Sequence, residues 1–378
     1  MSSATPSNSA NRAISRPLSL PNSIELEEFL RYAGFDIEWN HRLRGLLQEL
    51  RHCSKDWMEW QAEVGGILER NQSGVCPSRG LDWQVLALAQ RMQELVVRHR
   101  KLGIDPAITA ATVGDLSRWA GAIEKNSVPG RTLPIHWFQN HLALNLLEVG
   151  CLQFVPGPAG APARIFRRPD NPREIAALAC AGIPCDALGW PTGDTPAFVT
   201  ALEEDASGFV GHPILAENGN ISAAKTVLER GIWAGVFSPG DNVMHVHIPE
   251  GAVLSTAACR ESFHSAERVF CGLFPDLDWR VFYCTTWMLD PALDELLEAS
   301  SRIRQFAAEF RRVTMRRPNG LQIVERVLGN STDWHAFTPK TSLQRKVCNF
   351  LREGGIFRTT SGYRLRELHD KFHEQGPG

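Results

Sequence analysis

The sequence lacks both a charge bias and a long apolar run. Lys and Arg number 40 against 42 Asp and Glu, so the formal net charge is -2, and no overall charge favours nucleic acid or a membrane surface as a partner. No apolar run approaches the roughly 18 residues that a transmembrane helix needs. No apolar segment follows Met1, which argues against a secretory signal. We therefore expect a cytoplasmic protein with no membrane span and no nucleic-acid partner.

Paired cysteine spacing is also missing. The nine Cys are an odd number, and none stands in a C-x-x-C pattern that would indicate structural zinc. Reduced, mostly buried thiols are the simpler interpretation. Eleven Trp provide large apolar side chains for a core, or for a groove that holds an acyl chain.

Four segments follow one another along the 378 residues. Residues 1–22, rich in Ser, Asn and Pro, are predicted to be a flexible leader. Apolar residues at helical spacing, clearest at 81–101, predict a helical domain over 23–155. A proline-rich linker at 156–172 then leads to a domain of alternating helices and strands over 173–370. The predicted fold class is α+β.

Within these segments the pattern predicts individual elements. Gly103 ends one helix, and Asp105 with Pro106 begins the next. Nothing before residue 150 is predicted as a strand. Further helices are predicted near 134–148, 172–181, 194–204, 256–272, 291–312 and 342–353, and strands near 151–156, 213–215, 225–228, 243–248, 280–285, 321–328 and 355–365.

The stretch from 243 to 285 is the most informative. Alternate side chains of its first strand face opposite sides: Met244, Val246 and Ile248 on one, and Val243, His245 and His247 on the other. Pro249 ends the strand, and a helix begins at Ser255 or Thr256, where free backbone N–H groups favour an anion. The connection of about 35 residues is long enough for a crossover, so 243–248 and 280–285 are predicted to be adjacent parallel strands.

This stretch resembles the C-terminal domain of GNAT-like acyltransferases. It carries GD at 240–241, VHIP at 246–249 and a strand ending in C-x-T-W-M-L-D-P at 284–291. WFQNHLALNLLEVGCLQF at 137–154 and TSLQRKVCNFLREGG at 341–355 agree as well. The resemblance covers nearly the whole chain except the leader. It implies a helical N-acyltransferase domain followed by a GNAT-like mixed α/β domain with a central twisted sheet.

The chain departs from the family's pattern at several positions. Cys151 stands where the family has Arg before L-Q-F, Thr286 replaces the Ser before Trp, and Ser-Arg-Ile at 301–303 replaces S-N-I. The loop after VHIP lacks the Q/R-x-x-G-x-G/A signature with which related proteins hold the CoA pyrophosphate. The donor is therefore either an acyl-CoA or an acyl carrier protein, and the missing signature favours the carrier protein.

The resemblance implies transfer of an acyl group from a thioester to an amine. It allows the acyl group to be a fatty acyl group and the acceptor to be the amine of a peptide natural product, as in lipopeptide biosynthesis. No cofactor is expected to be bound permanently, because the thioester of CoA or of a carrier's phosphopantetheine is a co-substrate. The alternative is a catalytically silent GNAT-like accessory protein that binds an acyl carrier or a peptide.

Acyl transfer to an amine needs donors to the developing oxyanion and a base for the ammonium. His247, at the strand end, is the predicted base, and Glu250 orients it or acts through water. Backbone N–H groups around Val246–Ile248 are the predicted oxyanion donors. On the neighbouring strand, Tyr283 or Cys284 is predicted to return a proton to the leaving thiolate.

The donor thioester is expected to contact residues at the strand end, the helix start and beyond: Val246, Ile248, Gly251, Ser255, Thr256, Trp287 and Arg302. Arg302 begins a basic cluster, opposed only by Glu309, which continues with Arg304, Arg311, Arg312, Arg316 and Arg317. This cluster is either a solvated helix face or a dock for the donor's phosphate or for an acidic carrier protein.

The same residues have simpler structural interpretations. His245 and His247 can be hydrogen-bonded, inert strand residues, and Cys284 is more often a core thiol than a reactive one. H-x-H followed by Glu also resembles a cupin-type ligand set. No third His follows on a later strand, so no metal is predicted.

Overall fold

A computed structural model describes residues 23–69, 80–126, 132–313, 321–329 and 333–366. The predicted leader lies outside these ranges, as do Arg316 and Arg317. The chain divides into two compact units. The first unit contains the residues up to Val155, His247–Ala252 and Glu261–Leu273, and the second contains the rest.

Helices build most of the first unit. Gly103, with φ 69°, follows the fourth of them, and the Asp105 carboxylate accepts the N–H of Ala107 at 2.7 Å where the fifth begins, as predicted. The helices are α1 (Ser23–Ala33), α2 (Ile37–His52), α3 (Ser54–Glu69), α4 (Leu81–Lys101), α5 (Pro106–Asn126) and α6 (Ile135–Leu142). Among the described helices of the chain, none is long and apolar enough to cross a membrane.

Aromatic side chains fill the core of the first unit. Phe29, Trp60, Trp83 and Phe138 are almost completely buried, and α1 packs against α4 and α5. Burial of such large apolar surfaces is a main source of stability for the helical unit. The interpretation of the tryptophans as core residues is therefore confirmed for Trp60 and Trp83.

The chain leaves the helical pattern earlier than predicted. α6 ends at Leu142, so the predicted helix at 134–148 is too long, and Leu144 has φ 59°, a left-handed conformation that cannot continue a helix. Strand β1 (Leu147–Val149) then pairs antiparallel with β2 (Leu152–Pro158). The prediction that no strand precedes residue 150 is wrong.

Short antiparallel strands fill the second unit up to residue 237. Helices predicted near 172–181 and 194–204 are wrong, because strands lie there, and 213–215 contains isolated bridges and no strand. The strand predicted near 225–228 is confirmed. The strands are β3 (Ala163–Arg167, inside the predicted linker), β4 (Ile175–Ala179), β5 (Pro184–Cys185), β6 (Phe198–Val199), β7 (Leu202–Glu204), β8 (Gly208–Gly211), β9 (Thr226–Glu229) and β10 (Ala234–Phe237).

A mixed sheet in the order β1-β2-β11-β12-β14-β13 contains the predicted crossover. Its later elements are β11 (Asn242–His247), α7 (Thr256–Leu273), β12 (Val281–Thr286), β13 (Arg311–Val313) and β14 (Thr360–Leu365). β11 and β12 pair in parallel, whereas β14 runs antiparallel to β12 and β13. The prediction of adjacent parallel strands joined by a helix is confirmed.

The region after β12 differs most from the prediction. The long helix at 291–312 is wrong: the chain forms a 3-10 turn (Trp287–Leu289), α8 (Ala292–Leu296), α9 (Arg302–Ala307) and then β13. The strand predicted at 321–328 is instead α10 (Leu321–Leu328). The helix predicted at 342–353 is confirmed by α11 (Ser342–Arg352), and the last strand begins at Thr360 instead of 355.

Candidate functional site

The parallel pair of β11 and β12 has a short ladder. Met244 pairs with Phe282 and His245 with Tyr283, and β12 continues to Thr286 in pairing with β14. Met244 and Val246 are buried, so the predicted apolar face of β11 packs as expected. The ladder leaves the ends of the two strands beyond His245 and Tyr283 outside the mutual pairing.

His245 has a satisfied place in the second unit. Its Nε2–H donates to the carbonyl oxygen of Pro158 at 3.2 Å, and its ring stands edge-on to Tyr283 with centroids 6.1 Å apart. Burial lowers the pKa of His245, which favours the neutral imidazole. These contacts favour the structural interpretation of His245.

Tyr283 and Cys284 of β12 are both buried. Burial raises the pKa of each, so the phenol and the thiol stay protonated at neutral pH. A thiolate nucleophile at Cys284 would need the opposite shift.

The end of β12 is bound into the second unit. The Thr286 hydroxyl accepts the backbone N–H of Met288 at 3.3 Å, and the backbone N–H of Trp287 donates to Gln322 Oε1 at 2.7 Å. The Trp287 ring is buried against α10 residues such as Ile323. Packing therefore accounts for Trp287, and the structure shows it in the core.

The loop after β11 contains the other predicted donor contacts. Gly251 has φ 81°, which suits the tight turn there, and both Glu250 and Gly251 are exposed. Ser255 is the N-cap of α7, because its Oγ accepts the N–H of Ala258 at 3.2 Å. Thr256 is the first helical residue.

The predicted basic cluster is divided by the fold. Arg312 is buried and forms a bidentate pair with Asp294 at 2.6 and 2.9 Å, and Arg304 lies 3.7 Å from the same carboxylate. Glu309 is paired with Arg260 at 2.9 Å. Arg302 is exposed and, among the members of the cluster that the structure describes, is the one best placed to meet an anion from solvent.

His247 lies in the first unit against an aromatic side chain. Its ring and that of Trp137 on α6 meet at 71° with centroids 4.8 Å apart, an edge-to-face geometry that aromatic pairs favour. The indole N–H of Trp137 donates to Asp115 Oδ2 at 2.7 Å. His141 Nε2 lies 3.3 Å from the same oxygen.

A second carboxyl group of the first unit, that of Glu148, is linked to Asp115 through Arg118. The Glu148 carboxylate accepts from Arg118 and, at 3.0 Å, from Gln153 Nε2, while Arg118 also lies 3.2 Å from Asp115. Burial raises the pKa of Glu148 to about 7 despite Arg118. Burial opposes ionisation of Asp115 too, yet the close His141, the hydrogen bond from Trp137 and the Arg118 charge lower its pKa to about 2.

Sequence reasoning missed Trp137, Asp115 and Glu148. Trp137 and His141 stand four residues apart, which places them on one helix face, but nothing local indicates that Asp115 of the preceding helix faces them. Of the predicted residues, the structure brings Val246, Tyr283 and Cys284 together on adjacent strands. His247, Ile248, Glu250 and Gly251 lie together in the other unit.

Comparison with known proteins adds family and fold. The family model described as the GNAT-like C-terminal domain matches residues 146–364. No curated protein matches the chain.

The chain is also similar to solved structures. An acyltransferase mutant in complex with octanoyl-CoA is 18% identical with a TM-score of 0.57, and the match covers 93% of this chain and 91% of that chain. An acyltransferase in complex with CoA and 10C-teicoplanin is also 18% identical, with a TM-score of 0.58, and the match covers 93% of this chain and 90% of that chain. An acyltransferase in complex with decanoyl-CoA and teicoplanin is 18% identical with a TM-score of 0.54, and the match covers 93% of this chain and 90% of that chain. At this identity the likeness shows the fold.

Proposed function

The chain belongs to the family defined by the GNAT-like C-terminal domain, and on this premise we propose that it is an N-acyltransferase that moves an acyl group from a thioester to an amine. The observation that carries the proposal is the β11–α7–β12 crossover, in which the mutual pairing of the strands stops at His245 and Tyr283. A parallel pair that separates beyond its ladder offers backbone groups to an extended pantetheine arm.

The reaction forms a C–N bond between the amine and the thioester carbonyl carbon, while the C–S bond breaks. Overall, the nitrogen loses one proton and the leaving sulfur gains one. In the proposed site the His247 imidazole accepts the proton of the amine, and backbone N–H groups from Val246 to Ile248 donate to the oxyanion. Glu250, which is exposed, assists His247 through water.

Tyr283 is the proposed proton donor to the leaving sulfur. It regains a proton from solvent, into which His247 releases the proton that it took from the amine. Burial raises the pKa of Tyr283, so the phenol keeps a proton to give. Cys284 is the less suitable choice, because burial raises its pKa as well and a buried neutral thiol is a poor nucleophile. We therefore propose direct transfer, without an acyl group on Cys284.

The donor is proposed to be a medium-chain acyl-CoA. Structures to which the chain is similar contain octanoyl-CoA or decanoyl-CoA. Two arginines of the basic cluster that would dock a carrier protein, Arg312 and Arg304, instead contact Asp294. The start of α7 at Ser255 and Thr256, with the exposed Arg302 of the same unit, is proposed to bind the donor's phosphates. The acyl carrier protein stays the alternative, since the usual pyrophosphate signature is missing.

The acceptor is proposed to be the amine of a glycosylated peptide. Two of the similar structures contain teicoplanin or its 10C form, and both are acyltransferases. His247 is half-buried, so one part of its ring is open to an acceptor of that kind while another part packs against Trp137.

Thiol release tests the function directly. The purified chain is mixed with decanoyl-CoA, with and without a glycopeptide that carries a free primary amine, and both the free thiol and the product mass are measured. We expect thiol release that depends on the amine, and a product heavier by one decanoyl group. The catalytically silent alternative predicts binding of decanoyl-CoA or peptide by calorimetry, with no acylated product.

A further inference from the structure

Two side chains of α6 converge on one buried carboxylate of α5. Trp137 and His141 stand one helical turn apart, and their ring nitrogens lie 2.7 and 3.3 Å from Asp115 Oδ2. Asp115 is 3% exposed. The two rings also contact each other edge-on at 5.9 Å, so the position of the indole is fixed at its N–H and along its side.

The acceptor that holds Trp137 is a charged group. Burial opposes ionisation of Asp115, but the close His141, the Trp137 hydrogen bond and Arg118 outweigh it and lower its pKa to about 2. An indole N–H can only donate, and a hydrogen bond to a carboxylate is shorter and stronger than one to a neutral acceptor. The indole is therefore held in one tilt over the working pH range.

The same indole also contacts His247. The ring centroids lie 4.8 Å apart at an angle of 71°, so the indole forms an edge-to-face contact on one side of the imidazole. An imidazole that acts as a base must present one nitrogen to its substrate within a few tenths of an ångström.

From this geometry we propose that Trp137 is a positioning residue for His247 and that Asp115 holds Trp137 in place. The proposal rests on the proposed function, in which His247 is the base. It assigns a role to two residues of the helical unit that precede residue 146, where the family model begins. Trp137 is the first residue of the family-like stretch at 137–154, which by itself gave it no role, and Asp115 lies outside the sequence motifs.

Three variants test the proposal. Trp137→Ala removes the ring that meets His247, Trp137→Phe keeps a ring but removes the N–H donor, and Asp115→Asn keeps the shape but removes the charge. Trp57→Phe is the matched control, because Trp57 is a partly buried tryptophan of the same core with a ring neighbour of its own, Trp60. Thermal unfolding is recorded for each variant.

The kinetic result expected is a split between kcat and KM. Trp137→Ala should lower kcat by about 10²-fold, the cost of a misplaced catalytic group, while KM for decanoyl-CoA stays unchanged. Trp137→Phe and Asp115→Asn should fall between this variant and the wild type, and Trp57→Phe should keep wild-type kcat. Equal kcat in all variants, or equal losses in Trp137→Phe and Trp57→Phe, would overturn the positioning role.

A spectroscopic measurement separates this inference from the proposed function. The ring proton resonances of His247, assigned by their loss in His247→Gln, should be displaced by the ring current of Trp137 and return towards free histidine in Trp137→Ala. Asp115→Asn should reduce the displacement. Resonances that do not move in either variant would overturn the inference even in an active enzyme. Displaced resonances without amine-dependent thiol release would sink the proposed function alone.

Discussion

Glu148 gives the first unit a pH dependence that a single substitution can remove. Burial raises its pKa from 4.5 to about 7, so the folded state binds a proton that the unfolded chain releases between these values. The free energy of unfolding contributed by Glu148 is therefore fully present below pH 4.5 and is lost as pH rises through 7. Asp115, whose lowered pKa is about 2, loses its contribution only in strong acid, outside this window.

Glu148→Gln should flatten this dependence. At pH 8 the variant should be more stable than the wild type, by on the order of 3 kcal/mol at most, because a shift of about 2.5 pKa units is worth that much and the glutamine carries no charge to desolvate. At pH 4.5 the two should differ little. Unfolding midpoints measured from pH 4.5 to 8 check this, with the exposed Glu59→Gln as the control that keeps the wild-type slope. A parallel slope in Glu148→Gln would contradict the assignment.

The turn between β1 and β2 depends on a glycine at position 150. Gly150 has φ 67°, and a Cβ there would overlap Ser262 Oγ, which accepts the N–H of Cys151 at 2.8 Å. Both the left-handed backbone and the close neighbour exclude a side chain.

Gly150→Ala should lower the free energy of unfolding by about 2 kcal/mol or more. Gly121→Ala is the matched control: Gly121 lies inside α5 with nothing within 4 Å of an added Cβ, so alanine should stabilise the helix by up to about 1 kcal/mol. Chemical denaturation of both variants checks the opposite signs. A Gly150→Ala protein as stable as the wild type would show that the turn has another conformation.

Elements with strong local signals were predictable from the sequence. The alternation in β11, the Ser255 cap and the connection length identified the crossover, and the resemblance to GNAT-like acyltransferases and the α+β class are both confirmed. LQIVERVL at 321–328 looks like a strand because it is rich in branched apolar residues, yet Ile323, Val324 and Leu328 are buried at helical spacing. β13 depends on pairing with β14 about 50 residues away, which no local pattern encodes.

The site was predictable only where its residues are close in sequence. His247, Glu250 and Ser255 lie at or soon after the end of one strand. Trp137 contacts His247 from a helix more than 100 residues earlier, and Asp115 contacts Trp137 from the helix before that. The functional roles of the predicted residues stay predictions. The roles predicted for Cys284 and Trp287 are the weakest, because both side chains are buried in the core.

For the whole molecule, the donor decides how the chain meets its partners. We expect decanoyl-CoA to be used better than a decanoyl acyl carrier protein, because Arg312 and Arg304 share Asp294 instead of facing a partner. The rate with decanoyl-CoA should fall less with salt than the rate with the carrier protein. A carrier would be steered by many exposed charges, which salt screens within about 10 Å at 0.1 M, whereas CoA meets a small site around Arg302 and the start of α7. Initial rates measured with both donors at NaCl concentrations from roughly 0.05 to roughly 0.5 M, the range over which screening changes strongly, check this. A preference for the carrier that fades with salt would contradict it.

The most direct test of the account is the turnover of His247 variants. In the thiol-release assay with decanoyl-CoA and an amine-bearing glycopeptide, His247→Ala and His247→Gln should lower kcat/KM by about 10²- to 10⁴-fold, the usual contribution of a general base. Unfolding midpoints should change little, because this half-buried strand-end residue adds little packing. His245→Gln on the same strand is the control and should keep near wild-type turnover. Wild-type kcat/KM in both His247 variants would contradict the central claim that His247 is the base of an acyl transfer.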